Sequence, residues 1–489
     1  MTISEYKSQI SGKTAAVVGV GVSNVPLIKF LLSYGANVCG YDKRSKDEIE
    51  EYNELITLGA KFYLGENYFE QLTSHIQAGE YDIIFKTPGI RPDIPPLLIA
   101  RERGIEITSE MELFLKLCPA PIIGITGSDG KTTTTSLAYE ILKADDKKVF
   151  LGGNIGTPLI AQVSEITSND IVALEMSSFQ LYSMEQSPDI GVITNITPNH
   201  LDWHTDMTEY INAKKSICGL NSERTKTVVL NADNDITREI SMEVARLKDV
   251  ILFSKELISN GVCIENGAIV WRENNVTVEK ILETSDIKLP GVHNIENYMA
   301  AIAATHGLVA NESVQKVAKE FGGVAHRIEF VRELDGVRYY NDSIATTPAR
   351  AKAGLSCFPQ KIIIIAGGYD KKIPFDEFGT VINERAKTLV LIGVTAGKIE
   401  DAVKSAANYN GEVDIIHATT LEDAVEKARD AAINAQNLSN AGSADLLDGL
   451  QKEIYKDIVI LSPACASFDM FKNFEERGNN FKKIVGELN

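Results

Sequence analysis

No run of apolar residues in this sequence approaches the roughly 20 that a helix needs to cross a bilayer, which excludes a membrane-spanning role from its reading. No repeat recurs and no low-complexity tract interrupts the chain, so solenoids and compositionally biased arrays are set aside. The six cysteines, Cys39, Cys118, Cys218, Cys263, Cys357 and Cys465, are scattered and form no Cys-x-x-Cys pair. Reduced, buried thiols in a cytoplasmic protein are the expectation. The opening Met-Thr-Ile-Ser-Glu-Tyr-Lys carries no apolar signal segment. Basic residues are in deficit, 49 Lys and Arg against 67 Asp and Glu, for a net charge of -18. That balance disfavours nucleic acid and anionic membrane as partners, although a local basic loop can still hold an anionic substrate. At 489 residues, 44% hydrophobic and 24% charged, the chain is of ordinary globular composition and long enough for several domains.

What is there centres on Ile122-Ile-Gly-Ile-Thr-Gly-Ser-Asp-Gly-Lys-Thr-Thr-Thr-Thr135. Ile122 to Thr126 reads as a buried strand, Gly127 to Gly130 as a turn, and Lys131 onward as a helix. A strand, a glycine loop and a helix N-terminus cradle phosphate. The backbone N–H groups and helix dipole face the anion, Lys131 reaches the β/γ-phosphates, and the Thr132 hydroxyl can bind Mg²⁺. The spacing is a shortened form of the usual motif, because Ile125 stands where a glycine is normally found. Further on, Glu175 ends the apolar strand Ile171 to Leu174, where a Mg²⁺ ligand or water-orienting group is expected. His200 and His204 follow the strand Ile190 to Ile196 and, with Asp202, read as a catalytic rim. No third metal-type ligand accompanies them, so zinc is not inferred. Lys214 and Lys215 lie on a helix, Tyr210 to Ile217, where solvated lysines are expected. Asn294 and Asn297 either read a base edge or cap a helix from Tyr298 to Leu308.

The flanking regions repeat the α/β theme. Thr14 to Val18 is a strand followed by Gly19-Val-Gly-Val-Ser-Asn24, a helix from Pro26 and a second strand ending in Asp42-Lys43-Arg44. This is a Rossmann-like start without its third glycine, since Asn24 stands there. Gly19 and Gly21 still admit a close backbone approach to a nucleotide, and Lys43 and Arg44 suit a phosphorylated ligand. The strand Tyr81 to Phe85 ends at Lys86-Thr-Pro-Gly89, and Pro92, Pro95 and Pro96 then break regularity. Beyond Gly323, strands at Val337–Tyr340, Ile362–Ile365, Leu389–Ile392, Asp414–His417 and Asp457–Leu461 alternate with helical patterns. Asp342, Ser343, Thr346, Lys371 and Ser467 sit at strand ends, more polar groups than a bare ATPase needs, and suit a second polar substrate in a cleft. A helix is expected from Met470 to Leu488, and Asn434 to Gln451 reads as an acidic loop without a role.

Gly-Ser-Asp-Gly-Lys-Thr-Thr, Glu175-x-Ser-Ser-Phe-Gln, Asn195-x-x-x-Asn-His200, His293-Asn-x-x-Asn297, His326-Arg327 and Asn341-Asp-Ser together resemble the Mur ligase family, which builds the peptidoglycan precursor. Ser462-Pro-Ala-Cys-Ala-Ser-Phe-Asp-Met-Phe-Lys-Asn-Phe-Glu-Glu-Arg-Gly478 resembles the D-glutamate-adding member of that family. The resemblance spans essentially the whole chain. It implies three α/β domains: a Rossmann-like UDP-sugar domain (1–116), a central P-loop-type mononucleotide-binding parallel sheet (117–322), and a doubly wound Rossmann-like amino-acid domain (323–489).

The implied reaction is ATP-dependent joining of D-glutamate to UDP-N-acetylmuramoyl-L-alanine through an acyl phosphate. ATP would be held by Gly127, Ser128, Asp129, Gly130, Lys131, Thr132, Thr133, Asn297, Arg327 and Asp342. Two Mg²⁺ ions would be held by Thr132, Glu175, His200 and Lys214, the last matching the family lysine that carries a carbamate; Tyr210-x-x-x-Lys214 fixes the register against Lys215. Catalysis would fall to Lys131, Glu175, His200 and Lys214. Gly21, Val22, Ser23, Lys43, Arg44, Thr87, Pro88 and Gly89 would hold the UDP-sugar, with Asn154, Ser177 and Gln180 lining the path to its carboxylate. Thr346, Lys371, Ser467, Phe468 and Phe474 would surround D-glutamate. A cytoplasmic monomer acting on small molecules is implied.

Three departures from the family pattern stand out: Ile344 where some relatives carry lysine, Lys86-Thr87 before Pro-Gly, and the stretch Asn434 to Gln451. The alternatives are a related ligase with another acceptor, a nucleotide-dependent regulatory protein without ligase chemistry, and a nicotinamide oxidoreductase argued from Gly19-x-Gly21 alone.

Overall fold

The computed structural model describes residues 1–49, 51–156, 158–201, 203–289, 291–358, 360–442 and 457–488. Three sheets carry the fold. The first contains β1 (Thr14–Val18), β2 (Asn37–Asp42), β3 (Lys61–Leu64), β4 (Ile83–Lys86) and β5 (Glu106–Thr108), all parallel in the order β3-β2-β1-β4-β5. The chain moves outward from β1 to β3, then returns to place β4 on the other side of β1. The crevice at the carboxyl ends of β1 and β4 is therefore the topological switch point, where open α/β sheets bind ligands.

The second sheet contains β6 (Ile122–Thr126), β7 (Val149–Gly153), β8 (Ile171–Glu175), β9 (Ile190–Ile193), β10 (Thr227–Asn231), β11 (Asp249–Ser254), β12 (Gly261–Glu265), β13 (Ala268–Glu273) and β14 (Val276–Glu283). Its order is β14-β13-β12-β11-β10-β9-β6-β8-β7. β6 is wholly buried between β9 and β8, as its continuous β-branched run requires. The hairpins expected near Gly261 extend this sheet by antiparallel pairing, so it is mixed rather than parallel throughout.

The third sheet contains β15 (Glu329–Leu334), β16 (Val337–Asn341), β17 (Ile362–Ala366), β18 (Ala386–Leu391), β19 (Asp414–His417) and β20 (Asp457–Leu461), in the order β15-β16-β20-β17-β18-β19. It is parallel except at β15. Separate apolar cores cover its two faces.

The chain divides into two compact units, one of residues 1–286 and 293–319 holding the first two sheets, the other of residues 287–292 and 320–489 holding the third. In the first unit a single apolar core runs from Tyr6, Val17 and Phe30 through Phe114 and Ile122 to Tyr210 and Val244. The proline-marked stretch 118–121 is part of that packing: Cys118 and Ala120 are buried, and Arg224 donates to the carbonyls of Leu115 and Ala120.

Several element expectations need correction. Pro95 and Pro96 open the helix Pro95–Glu102 instead of breaking structure, because a proline in the first turn gives up an N–H that has no intrahelical partner anyway. The helix over Tyr298 starts earlier, at Val292, and the last helix runs Phe474–Glu487. β9 stops at Ile193, freeing Thr194 to Ile196 for a loop. Asn434 begins no loop: the helix Leu421–Gly442 runs through it, and residues 443–451 lie outside the described set. Asp202 also lies outside it.

Candidate active site

β6 delivers the phosphate loop. A Cβ at Gly127 would lie 1.9 Å from Thr194 Oγ1, so only glycine fits. Gly130 has φ +77°, and a Cβ there would meet Asn297 Oδ1 at 2.3 Å. The loop is braced from β9's end: Thr194 Oγ1 donates to Asp129 O (2.6 Å), Asn195 Oδ1 accepts from Asp129 N (2.9 Å), and Asn195 O accepts from Ser128 N (2.9 Å). Ser128 Oγ, 2.9 Å from Tyr210 OH, also donates to Thr197 O. Lys131 Nζ folds back onto Gly127 O (2.8 Å) and Ser128 O (2.9 Å). The helix Lys131–Ala144 starts from Gly130 with no side-chain cap, so its first-turn N–H groups are left for an anion, with Thr132 and Thr133 partly exposed beside them. Asn294 and Asn297 lie inside the helix Val292–Thr305. Asn297 Nδ2 donates to Asn294 Oδ1, and its Oδ1 accepts from Thr134 Oγ1, so both asparagines are buried supports beside the loop.

A second group stands at the end of β8. Glu175 is buried; Oε1 accepts from Asn154 Nδ2 at 3.0 Å, and Oε2 has no hydrogen-bond partner among the described residues. An orphaned carboxylate oxygen inside a protein is costly unless a cation completes it. Lys214, which helix position alone would leave in solvent and the family resemblance makes a ligand, is 1% exposed. On the helix Met207–Lys215, Tyr210, Ala213 and Lys214 share the buried face, three and four residues apart. Lys214 Nζ donates to Gly127 O (2.6 Å) and lies over the Tyr210 ring. Burial first, and then the Lys131 charge, push its pKa down to about 6, against the pull of Asp129 and Glu175. Lys215 instead pairs with Glu243 near the surface.

His200 is exposed, with φ +54° and its ring edge-to-face on Phe179. His204 is no part of a catalytic rim: it is buried, with Nε2 3.0 Å from Ser178 Oγ and Nδ1 3.3 Å from Glu209. Among the described residues no three His, Cys, Asp or Glu side chains gather as a metal site. Ser177 and Gln180 cap the short helix Ser178–Leu181 reciprocally.

At the β1/β4 switch point, Gly21, Val22 and Ser23 form an open turn in which Val22 is exposed. Asn24, in place of the third glycine, is buried and donates from Nδ2 to Gly19 O at 2.7 Å, so it locks the turn. Asp42, which would take a ribose hydroxyl in a dinucleotide site, is already engaged. It accepts from Val20 N (2.7 Å) and from Arg44 N and Nε; Arg44 Nη2 bonds both Asp42 and Val20 O. Burial raises the Asp42 pKa, but the Arg44 and backbone hydrogen bonds outweigh it and the net shift is downward. Lys43 is exposed beside Glu66. Thr87 closes the crevice from the β4 side: a Cβ on Gly19, whose φ is +86°, would lie 2.5 Å from Thr87 Cγ2. Gly19→Ala should therefore cost about 1–2 kcal/mol of stability, read as a lowered Tm.

In the second unit the predicted groups stand at the carboxyl ends of three adjacent strands. Asp342, after β16, is buried; Oδ2 accepts from Ser462 Oγ, and burial raises its pKa to about 7. Thr346 follows β16, exposed Lys371 follows β17, and buried Ser467 with exposed Phe468 follows β20. Phe474 packs edge-on against His326, and Arg327 beside it is exposed. Sequence reading missed Arg477, 2% exposed in the helix Phe474–Glu487. Its guanidinium donates to Ser343 Oγ (3.0 Å) and O (2.8 Å), to Cys465 O (3.1 Å) and to Ala466 O (3.2 Å). It thereby clamps the loops after β16 and β20. Its place in the Glu-Glu-Arg-Gly run was the only sign of it. Arg91 and the loop-bracing Thr194 were also missed.

Comparison with known proteins follows the same outline. The Mur ligase middle domain family matches residues 125–305, and the Mur ligase, glutamate ligase domain family matches residues 326–441. A UDP-N-acetylmuramoylalanine--D-glutamate ligase of Ruminiclostridium cellulolyticum is 46% identical over 99% of both chains. A ligase of the same name from Acetivibrio thermocellus is likewise 46% identical over 99% of both. Among solved structures, the UDP-N-acetylmuramate-alanine ligase of Thermotoga maritima superposes with a TM-score of 0.53 at 19% identity, covering 97% of this chain and 99% of the other. The MurF ligase of the same organism in complex with ADP gives 0.50 at 16% identity, covering 98% and 97%.

Proposed function

Because this chain belongs to the Mur ligase family, we propose that it joins D-glutamate to UDP-N-acetylmuramoyl-L-alanine at the expense of ATP, in peptidoglycan synthesis. The observation that carries this is the likeness to ligases of that name, held at 46% over 99% of both chains and so extending through all three sheets.

In this reading residues 1–116 hold the UDP-sugar, 117–322 hold ATP and 323–489 hold D-glutamate. Lys131 and the uncapped helix start bind the β- and γ-phosphates of ATP, with Gly127 to Thr133 and Asn297 contributing. The γ-phosphoryl group passes to the UDP-sugar carboxylate, and ADP leaves. The glutamate amine then attacks the acyl phosphate, loses a proton and expels inorganic phosphate as the amide forms. Lys131 offsets the charge on the transferring group, and Lys371 with the hydroxyls of Thr346 and Ser467 suits a dicarboxylate acceptor. The orphaned Glu175 oxygen and the Thr132 hydroxyl are hard donors that suit Mg²⁺, with His200 and Lys214 completing the set. When bound, Mg²⁺ neutralises phosphate charge. Lys214 is read as the site of a carbamate: its neutral amine adds to CO₂ and releases a proton, which turns a buried cation-forming group into an oxygen ligand. The reading carries with it a cytoplasmic monomer whose partners are these small molecules.

The test is phosphate release from ATP with UDP-N-acetylmuramoyl-L-alanine and D-glutamate, L-glutamate or no amino acid. Release confined to D-glutamate is expected. Release with another acceptor in its place would keep the ATP site and overturn the assignment of Thr346, Lys371 and Ser467.

A further inference from the structure

One side chain joins the switch-point crevice of the first sheet to the loop carrying His200. Arg91 lies two residues beyond Gly89 of the Thr87-Pro88-Gly89 turn. Its Nη1 donates to Trp203 O (2.7 Å) and Glu209 Oε2 (3.1 Å), and its Nη2 to Glu209 Oε1 (3.0 Å). Asp93 takes the remaining edge, with Nε 3.0 Å from Oδ1. The guanidinium lies 4.9 Å from the centre of the Trp203 ring and 5.4 Å from that of Tyr182. Trp203 returns a bond: its Nε1 donates to Gly89 O at 3.1 Å. The two turns therefore exchange hydrogen bonds in both directions.

Glu209 is equally committed. Besides Arg91 it accepts from Tyr182 OH (2.7 Å) and Thr205 N (2.7 Å), and its carboxyl is held down to about 2, chiefly by Arg91. It belongs to the helix Met207–Lys215, whose next residue, Tyr210, touches the phosphate loop and whose Lys214 faces it. Bidentate pairing combined with stacking on an aromatic face is an arginine geometry that lysine cannot reproduce.

We propose that Arg91 is a positioning residue for the ligation: it sets the UDP-sugar turn Thr87–Gly89 against the His200 loop and the Lys214 helix, so that the substrate carboxylate is presented to the γ-phosphate of ATP. This rests on the functional reading given above. The turn that holds one substrate is fixed, through one guanidinium and one indole, to the elements that hold the other. Loosening that tie moves the reacting atoms apart without touching either binding site.

The experiment uses Arg91→Lys, Arg91→Met and Trp203→Phe, the last removing the indole N–H to Gly89 O while keeping a ring. Misplacement by about 1 Å costs about 10²-fold, so kcat should fall by about that factor in both Arg91 variants and by less in Trp203→Phe. The KM for ATP should stay within about twofold. Hydrogen–deuterium exchange gives a readout that a purely structural role would not move. In the wild type, UDP-N-acetylmuramoyl-L-alanine should protect residues 203–210; in the variants the sugar nucleotide should still bind but the protection should be lost. Retained protection, or full recovery of kcat in Arg91→Lys, would overturn the assignment. Failure of the wild type to bind the UDP-sugar at all would instead overturn the functional reading on which it rests.

Discussion

Replacing Lys131 with alanine should lower phosphate release by about 10²–10³-fold at saturating substrates, the loss that follows removal of one preorganised charge donor from a transferring group. The place where the side chain rests suits it to this role. Its Nζ bonds to the carbonyls of Gly127 and Ser128 in its own loop, so it is stored at the mouth of the phosphate cradle instead of being committed to the core. The loop itself does not depend on it, since Thr194, Asn195 and Tyr210 brace the other residues. The variant should therefore fold with a nearly unchanged Tm and still bind the UDP-sugar. Single-turnover kinetics should place the defect before acyl phosphate accumulates. Turnover within tenfold of wild type would refute the phosphate-loop assignment.

Lys214→Ala should be as damaging, and its recovery is the more informative result. An exposed lysine holds only about one neutral amine in several thousand at pH 7, whereas a pKa of about 6 makes most of the population neutral and ready to add CO₂. If the carbamate forms, Lys214→Ala loses an anion as well as an amine, and millimolar acetate or formate should restore part of the activity. Wild-type protein depleted of CO₂ should weaken and recover with bicarbonate. The unmodified amine also leaves a mark on stability. Its folded pKa lies below its unfolded one, so between about pH 6 and 10.5 the unfolded chain binds the extra proton. Stability then rises with pH by up to about 1.4 kcal/mol per unit, with the full penalty present below pH 6. Urea unfolding of CO₂-depleted protein across pH 6 to 9 should show that slope, and Lys214→Met should lack it. A flat profile for the wild type together with no carboxylate rescue would sink this role for Lys214.

The placement of the candidate residues at strand ends was legible because strand, glycine and charged residue fall in strict order. β6 with its loop, Glu175 at the end of β8, and Thr346, Lys371 and Ser467 after strands of the third sheet were all readable this way. What escaped was anything set by packing between distant segments. Lys214 was marked only by the family resemblance and looked solvated on its helix alone, because a helix face declares its partner only once Tyr210 and Ala213 are seen to turn inward with it. His204 looked like a rim residue because proximity to His200 in sequence says nothing of Ser178 and Glu209, which enclose it. Pro95 and Pro96 read as breakers because their role depends on whether a helix begins there. Arg91 and Arg477 were invisible for a common reason: each has a defining partner far along the chain, Glu209 at 118 residues and Ser343 at 134.

The second of those distances has a consequence in time. Arg477 is the clamp that fastens the loop after β16 to the loop after β20, and it emerges from the ribosome 134 residues after Ser343. At about 5–20 residues per second the interval is roughly 7–27 s. For that period a nascent chain already holds the first two sheets and the Gly127–Gly130 loop, yet cannot fasten the loops after β16 and β20 to each other. Translation therefore completes the strand-end clamp of the third sheet last, after the strand-end loops of the first two sheets have already emerged.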